Sequence, residues 1–194
     1  MNEQLDKKVS KNTDRKKDGN KDRQDNKMVL IAMTGLFAAM ITIMTAYIFH
    51  IPYGLNGGYI HFGDMLIYVA AVLLPQPYGL AAAAIGGGIA DILTAPMWAP
   101  ATIIIKALIT LPFTQKSGKI LTGRNIAAPF IAGIISAVGY YLAEGILFGS
   151  FASATASFLG SAIQSGGSMI LFFVFATALD RVHIKNKAKQ IGVI

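Results

Sequence analysis

The basic residues of this chain are confined so completely to the gaps between apolar runs that they dictate a membrane topology before any motif is considered. Six apolar segments can be drawn, at about residues 28–49, 60–74, 79–95, 98–113, 126–149 and 157–179. With both termini cytoplasmic, the inside parts are the N-terminal tail, the turn at 75–78, the loop at 114–125 and the C-terminus. These hold nine, zero, three and four Lys or Arg, and the three outer loops hold none. Of the 17 basic residues, only Lys106 is left inside an apolar run. Short loops rich in Lys and Arg stay on the cytoplasmic side, so this bias requires an even number of spans. The expected fold is an all-α integral membrane protein with six transmembrane helices and both termini cytoplasmic.

Composition agrees. Hydrophobic residues make up 54% of the chain and charged residues 14%, against about 25% charged in a soluble domain. The mean hydropathy is +0.53. Residues 1–27 contain nine basic and six acidic side chains with almost nothing apolar. Such a segment cannot bury enough surface to fold, so it reads as a disordered cytoplasmic tail. The membrane domain is expected over 28–182 and a second cytoplasmic tail over 183–194, in a multi-pass protein of the plasma membrane. The tail's charged region is too long for a secretory leader, and no small-residue cleavage site ends a short apolar core. The first, fifth and sixth segments have the ~20 residues a spanning helix needs. The middle three are shorter and are punctuated by "PQP" at 75–77 and "APMWAP" at 95–100.

Four ionisable residues lie within the apolar segments: Asp64, Asp91, Lys106 and Glu144. At 1.5 Å per residue, all four fall within roughly the outer 12 Å of the membrane. Each costs about 2.5–3.5 kcal/mol to insert, so they should face the bundle interior and find partners or water. Asp91 and Lys106 stand on adjacent antiparallel helices and are expected to pair, bracing the bundle and bordering a polar pocket open to the outside. Above them, the loop "YIFHIPYGLNGGYIHFGD" offers Tyr47, His50, Tyr53, Asn56, Tyr59 and His61 around Gly54, Gly57 and Gly58. A flexible loop of this kind suits a lid over a flat heteroaromatic ring, with Trp98 lining the same mouth. The histidines lack the spacing or cysteine partners of a metal site. Small residues mark close helix packing, as in "AAAAIGGGIAD" at 81–91 and the stripe Gly35, Ala38, Ala39 and Thr42 on the first helix. No hydrolase, metalloprotease or nucleotide-binding motif is present; the expectation is a protein that is not an enzyme and uses no cofactor or metal.

The stretches "HFGD" at 61–64, "ADILT" at 90–94, "APATIIIKAL" at 99–108 and "YYLAEGILFG" at 140–149 carry a resemblance. The chain resembles the substrate-binding S components of energy-coupling-factor (ECF) vitamin transporters, in the branch that includes riboflavin and hydroxymethylpyrimidine S components. That resemblance covers about 28–182. It implies a six-helix protein that binds a vitamin near the outer face, beneath the loop joining helices 1 and 2. It also implies partners: a transmembrane coupling protein and two ATPase subunits. The docking face would be helix 1, where many members carry Ala-x-x-x-Ala; here Gly35, Ala38, Ala39 and Thr42 stand in that role. Asp64, Asp91 and Lys106 belong to general features of the family. Glu144, Tyr140 and Gln164, with Tyr47, Tyr53, Asn56, Tyr59, His61 and Trp98, are the candidates for substrate contact.

A net acidic pocket beneath aromatic rings favours a small nitrogen heterocycle: a thiamine precursor, thiamine or a pyridoxine-like compound, with riboflavin next. The competing class is a self-sufficient proton-coupled secondary transporter working through Asp64, Asp91 and Glu144.

Overall fold

A computed structural model of the chain describes residues 2–48, 51–52 and 59–190, with side-chain surroundings from Gln24 onward. It is helical throughout, apart from a two-stranded ribbon. The helices are α1 (Asn2–Ala46), α2 (Gly63–Leu73), α3 (Gln76–Thr94), α4 (Ala99–Leu108), α5 (Gly123–Phe148), α6 (Phe151–Arg181) and α7 (Ile184–Gln190). A 3-10 turn over Pro96–Trp98 leads into α4. Strands β1 (Ile51–Pro52) and β2 (Tyr59–Ile60) pair antiparallel, with Ile51 opposite Ile60, and β2 lies against α6.

The six apolar segments become α1 to α6, but with lengths that composition did not reveal. Among the described residues, three stretches are long and apolar enough to cross a bilayer: Gln24–Ala46, Gly123–Phe148 and Phe151–Arg181. Helices α2 and α4 have only 11 and 10 residues, about 15–17 Å at 1.5 Å per residue. The charged segment continues α1 back to Asn2 as helix, where composition suggested no fixed structure. Its acids and bases recur three and four residues apart, which supports a solvated helix.

The short α2 is the centre of the bundle. All 11 of its residues are buried, because α1, α3 and α6 surround it. A helix enclosed on every side needs no polar face, which is why "GDMLIYVAAVL" shows none after Asp64. Helix α3 fits between α1 and α4 through its glycines. A Cβ on Gly86 would lie 2.7 Å from the Ala38 carbonyl oxygen, and one on Gly87 would lie 2.8 Å from Lys106 Cγ. The Thr42 hydroxyl closes the first contact, 3.0 Å from the Gly86 carbonyl. Ala38 and Thr42 are therefore covered by α3, which corrects their assignment to a free docking face; Gly35 and Ala39 are the exposed members of that stripe.

Helices α5 and α6 form a hairpin with only Gly149 and Ser150 between them. Gly149 takes the left-handed conformation (φ 66°) that ends α5, and the Ser150 hydroxyl caps α6 at Ser153 N. At the far end from the ribbon, side chains tie down the loop after α4. Asp180 accepts from Ile120 N (2.7 Å) and Leu121 N (2.9 Å). Buried Lys185 donates to the carbonyls of Gln115, Ser117 and Lys119, at 3.0–3.3 Å. Burial pushes the Lys185 ammonium below its ordinary pKa of 10.5, an effect that Asp180 partly offsets.

Candidate functional site

The polar residues of the apolar segments meet where α2, α4, α5 and α6 converge near the ribbon. Asp64 stands in the first turn of α2, below the sharp approach at "HFGD". There the Gly63 amide donates to His61 Nδ1 (3.0 Å), and a side chain at position 63 would strike Thr45 of α1. This turn points a wholly buried carboxylate at α4. Lys106 Nζ lies 2.6 Å from Asp64 Oδ1, with both side chains at most 1% exposed. The lysine of the apolar run therefore pairs with Asp64, and not in the expected pair with Asp91. Its stem crosses α3 over Gly87, a path open only because that residue lacks a Cβ. Gln164 of α6 donates to the other Asp64 oxygen at 3.3 Å.

Asp91 belongs to a second chain of bonds. The Thr102 hydroxyl donates to its Oδ2, and Thr102 Oγ1 lies 3.0 Å from Tyr140 OH. A hydroxyl has one proton, and that of Thr102 is committed to Asp91, so Tyr140 donates to Thr102. The two chains touch where Lys106 Nζ lies 5.2 Å from the centroid of the Tyr140 ring, a cation–π contact. Trp98, buried at the mouth of α4, packs against Tyr140 and Phe148 with centroids 6.0 and 5.8 Å apart. Glu144, one turn beyond Tyr140 on α5, is buried and accepts from Ser157 of α6 at 3.0 Å.

The structure thus brings together Asp64, Asp91, Lys106, Tyr140, Gln164, Trp98 and His61. Glu144 sits in the adjoining α5–α6 seam. Tyr47, at the end of α1, is 68% exposed. Tyr59 falls on β2, without a described side chain; His50, Tyr53 and Asn56 lie outside the described residues. Sequence reasoning missed Thr102 and Ser157. Thr102 had a signal: with Trp98 and Lys106 it forms an i, i+4, i+8 stripe on one face of α4. Among the described residues, no group of three His, Asp or Glu is placed to hold a metal.

Apolar helices thus enclose a buried polar network with an aromatic wall of Trp98, Tyr140 and Phe148 at its mouth. Residues 25–181 match the family of the ECF-type riboflavin transporter S component, and the chain belongs to that family. It is accordingly the S component of a vitamin transporter, the part that binds the solute. A protein of Pyrococcus woesei described as an uncharacterized protein in gap 3'region is 29% identical over 130 residues, covering 66% of this chain and 86% of its own length.

Proposed function

We propose that this chain captures riboflavin at the outer face of the plasma membrane. It would then hand the vitamin inward with a transmembrane coupling protein and two ATPase subunits. The observation that carries this reading is the match across residues 25–181 to riboflavin S components. In the same proposal the membrane domain spans 28–182 with six passes and both termini cytoplasmic, as the Lys/Arg distribution favours. Residues 1–27 and 183–194 are then cytoplasmic, with α2 and α4 shielded from lipid by their neighbours or set in locally thinned bilayer.

The family match and the aromatic wall change the ranking of substrates. Lys106 offsets the charge of Asp64, while the Thr102 and Ser157 hydroxyls satisfy hydrogen bonds of Asp91 and Glu144 without changing their charge. At the mouth stands an aromatic wall of Trp98, Tyr140 and Phe148, suited to stacking a flat ring. The same pairings weaken a proton-coupled mechanism, which needs carboxylates free to exchange protons. Gly35 and Ala39, exposed on α1, are the small residues left for a partner helix to approach.

The test is titration of the purified chain with riboflavin, following the fluorescence of the flavin and of Trp98, the only tryptophan. Saturable binding without partner subunits supports the reading. Absence of flavin binding, with thiamine or its pyrimidine precursor bound instead, overturns it.

A further inference from the structure

At the end of the bundle away from the ribbon, the segments Thr114–Thr122 and Asp180–Gln190 together carry six bases and one acid. They lie where the spanning stretch of α5 begins and that of α6 ends. A fixed membrane topology requires bases on one side, but it does not require that they be mounted in one geometry, as these are. The Lys185 ammonium, 1% exposed, gathers the carbonyls of Gln115, Ser117 and Lys119 at 3.2, 3.0 and 3.3 Å. Alternate carbonyls of the loop thus turn inward. A peptide unit is planar and trans, so the N–H that follows each of these carbonyls points the opposite way. The Ile120 amide is taken by Asp180, and that of Lys116 lies 3.4 Å from Thr114 Oγ1. The third belongs to Gly118, which is exposed and stands between the exposed Lys116 and Lys119. The Ser117 hydroxyl accepts from the Lys119 amide at 3.3 Å and keeps its own proton to donate.

We propose that this loop holds the phosphate of an anionic phospholipid, with Lys116, Lys119 and the Gly118 N–H as donors and Lys185 as the positioning residue beneath them. Charge complementarity selects an anion, and basic pockets at the ends of spanning helices take lipid headgroups. The surroundings select a lipid over a soluble anion. Leu111 and Val182 stand 40% and 52% exposed at the same end of the bundle, apolar side chains that acyl chains cover when the phosphate sits beside them. Lys187 and Lys189 are exposed on α7, and Lys189 follows Lys185 by one turn, near enough to act on its ammonium. The inference is independent of which vitamin is bound and rests on the membrane reading alone.

The test uses the full chain, purified in detergent and stripped of lipid. Phosphatidylglycerol or phosphatidylcholine is added back, and bound lipid is counted by native mass spectrometry. The wild type should retain phosphatidylglycerol about tenfold better than phosphatidylcholine. Lys116→Gln with Lys119→Gln should remove most of that preference. Lys7→Gln with Lys8→Gln, an equal loss of charge at the far end of α1, should leave it unchanged. Lys185→Met keeps every exposed base but no longer holds the loop, so the preference should fall about threefold. Gly118→Pro, which removes the outward N–H, asks the same question if Lys185→Met does not fold. Equal retention of the two lipids by the wild type, or equal loss in the two double variants, overturns the site. Full preference in folded Lys185→Met or Gly118→Pro shows diffuse charge without a cradle and overturns it as well. Displacement of phosphatidylglycerol by inorganic phosphate, but not by chloride at equal ionic strength, assigns the loop to a soluble anion and overturns the lipid.

Discussion

The sharpest test of the site's architecture is the substitution Lys106→Met. Methionine keeps most of the stem that crosses Gly87 but removes the ammonium 2.6 Å from Asp64. The carboxylate it strands is wholly buried and keeps the bond from Gln164 at 3.3 Å. Removing one partner of a buried ion pair costs about 3–5 kcal/mol, most of it the penalty on the charge left behind. In a protein of this size each kcal/mol moves Tm by about 2–4 °C, so thermal unfolding in detergent should shift down by about 6–20 °C. A second substitution distinguishes the partner. Asp64→Asn removes the stranded charge, so the double variant should recover more than half of the loss. Asp91→Asn, which alters the Thr102 chain, should rescue little. A shift below about 3 °C for Lys106→Met, or rescue by Asp91→Asn in place of Asp64→Asn, would refute this account of the pair.

Three other outcomes follow from the geometry. Gly86→Ala places a Cβ 2.7 Å from a backbone oxygen of α1, and overpacking of this kind should lower stability by about 1–3 kcal/mol in thermal or denaturant unfolding. Gly35→Leu with Ala39→Leu falls on the exposed face of α1; riboflavin binding by the isolated chain should persist, while uptake by cells carrying the coupling and ATPase subunits falls. Burial lowers the pKa of Lys185 in the fold. The unfolded chain therefore holds that proton to higher pH, so this residue's contribution to stability rises as pH climbs through the lowered value and levels off near 10.5. Lys185→Met should flatten that slope in unfolding measured from pH 8 upward, and should also release the Gln115–Lys119 loop to faster hydrogen exchange.

How much of this was legible beforehand follows from which forces act locally. Apolar run length marked all six helices of the bundle, because the hydrophobic pattern is written residue by residue. Their ends were less legible. Helix α4 stops at Leu108, five residues before its apolar run does, and the Ser- and Ala-rich start of α6 was assigned to a loop. The polar residues of the site were found because a charge in an apolar run is conspicuous, but the partner of Lys106 was misread. The closeness of Asp91 along the chain was visible, whereas the approach of α2 depends on Gly87 and on the turn at Gly63, which only the packed bundle reveals. Ala38 and Thr42 were misplaced for the same reason: a small-residue stripe shows that something comes close, without saying whether it is α3 or another protein. The Asp180 and Lys185 clasp was invisible, since its acceptors and donors are backbone groups of a loop.

The distribution of partners has a consequence for what an S component of this kind can recognise. Each buried charge near the ribbon has a partner inside the protein: Asp64 with Lys106, Asp91 with Thr102, Glu144 with Ser157. A ligand that drew Lys106 away from Asp64 would break a buried ion pair, at a cost of several kcal/mol. A neutral ligand leaves them intact and meets a site already rigid, so little of its binding energy is spent on ordering side chains. In the proposed riboflavin reading, the rings of Trp98 and Tyr140 are the surface such a ligand would meet. On that reading the Asp64–Lys106 pair braces α2 against α4, and the flat ring of the ligand is recognised by stacking rather than by charge.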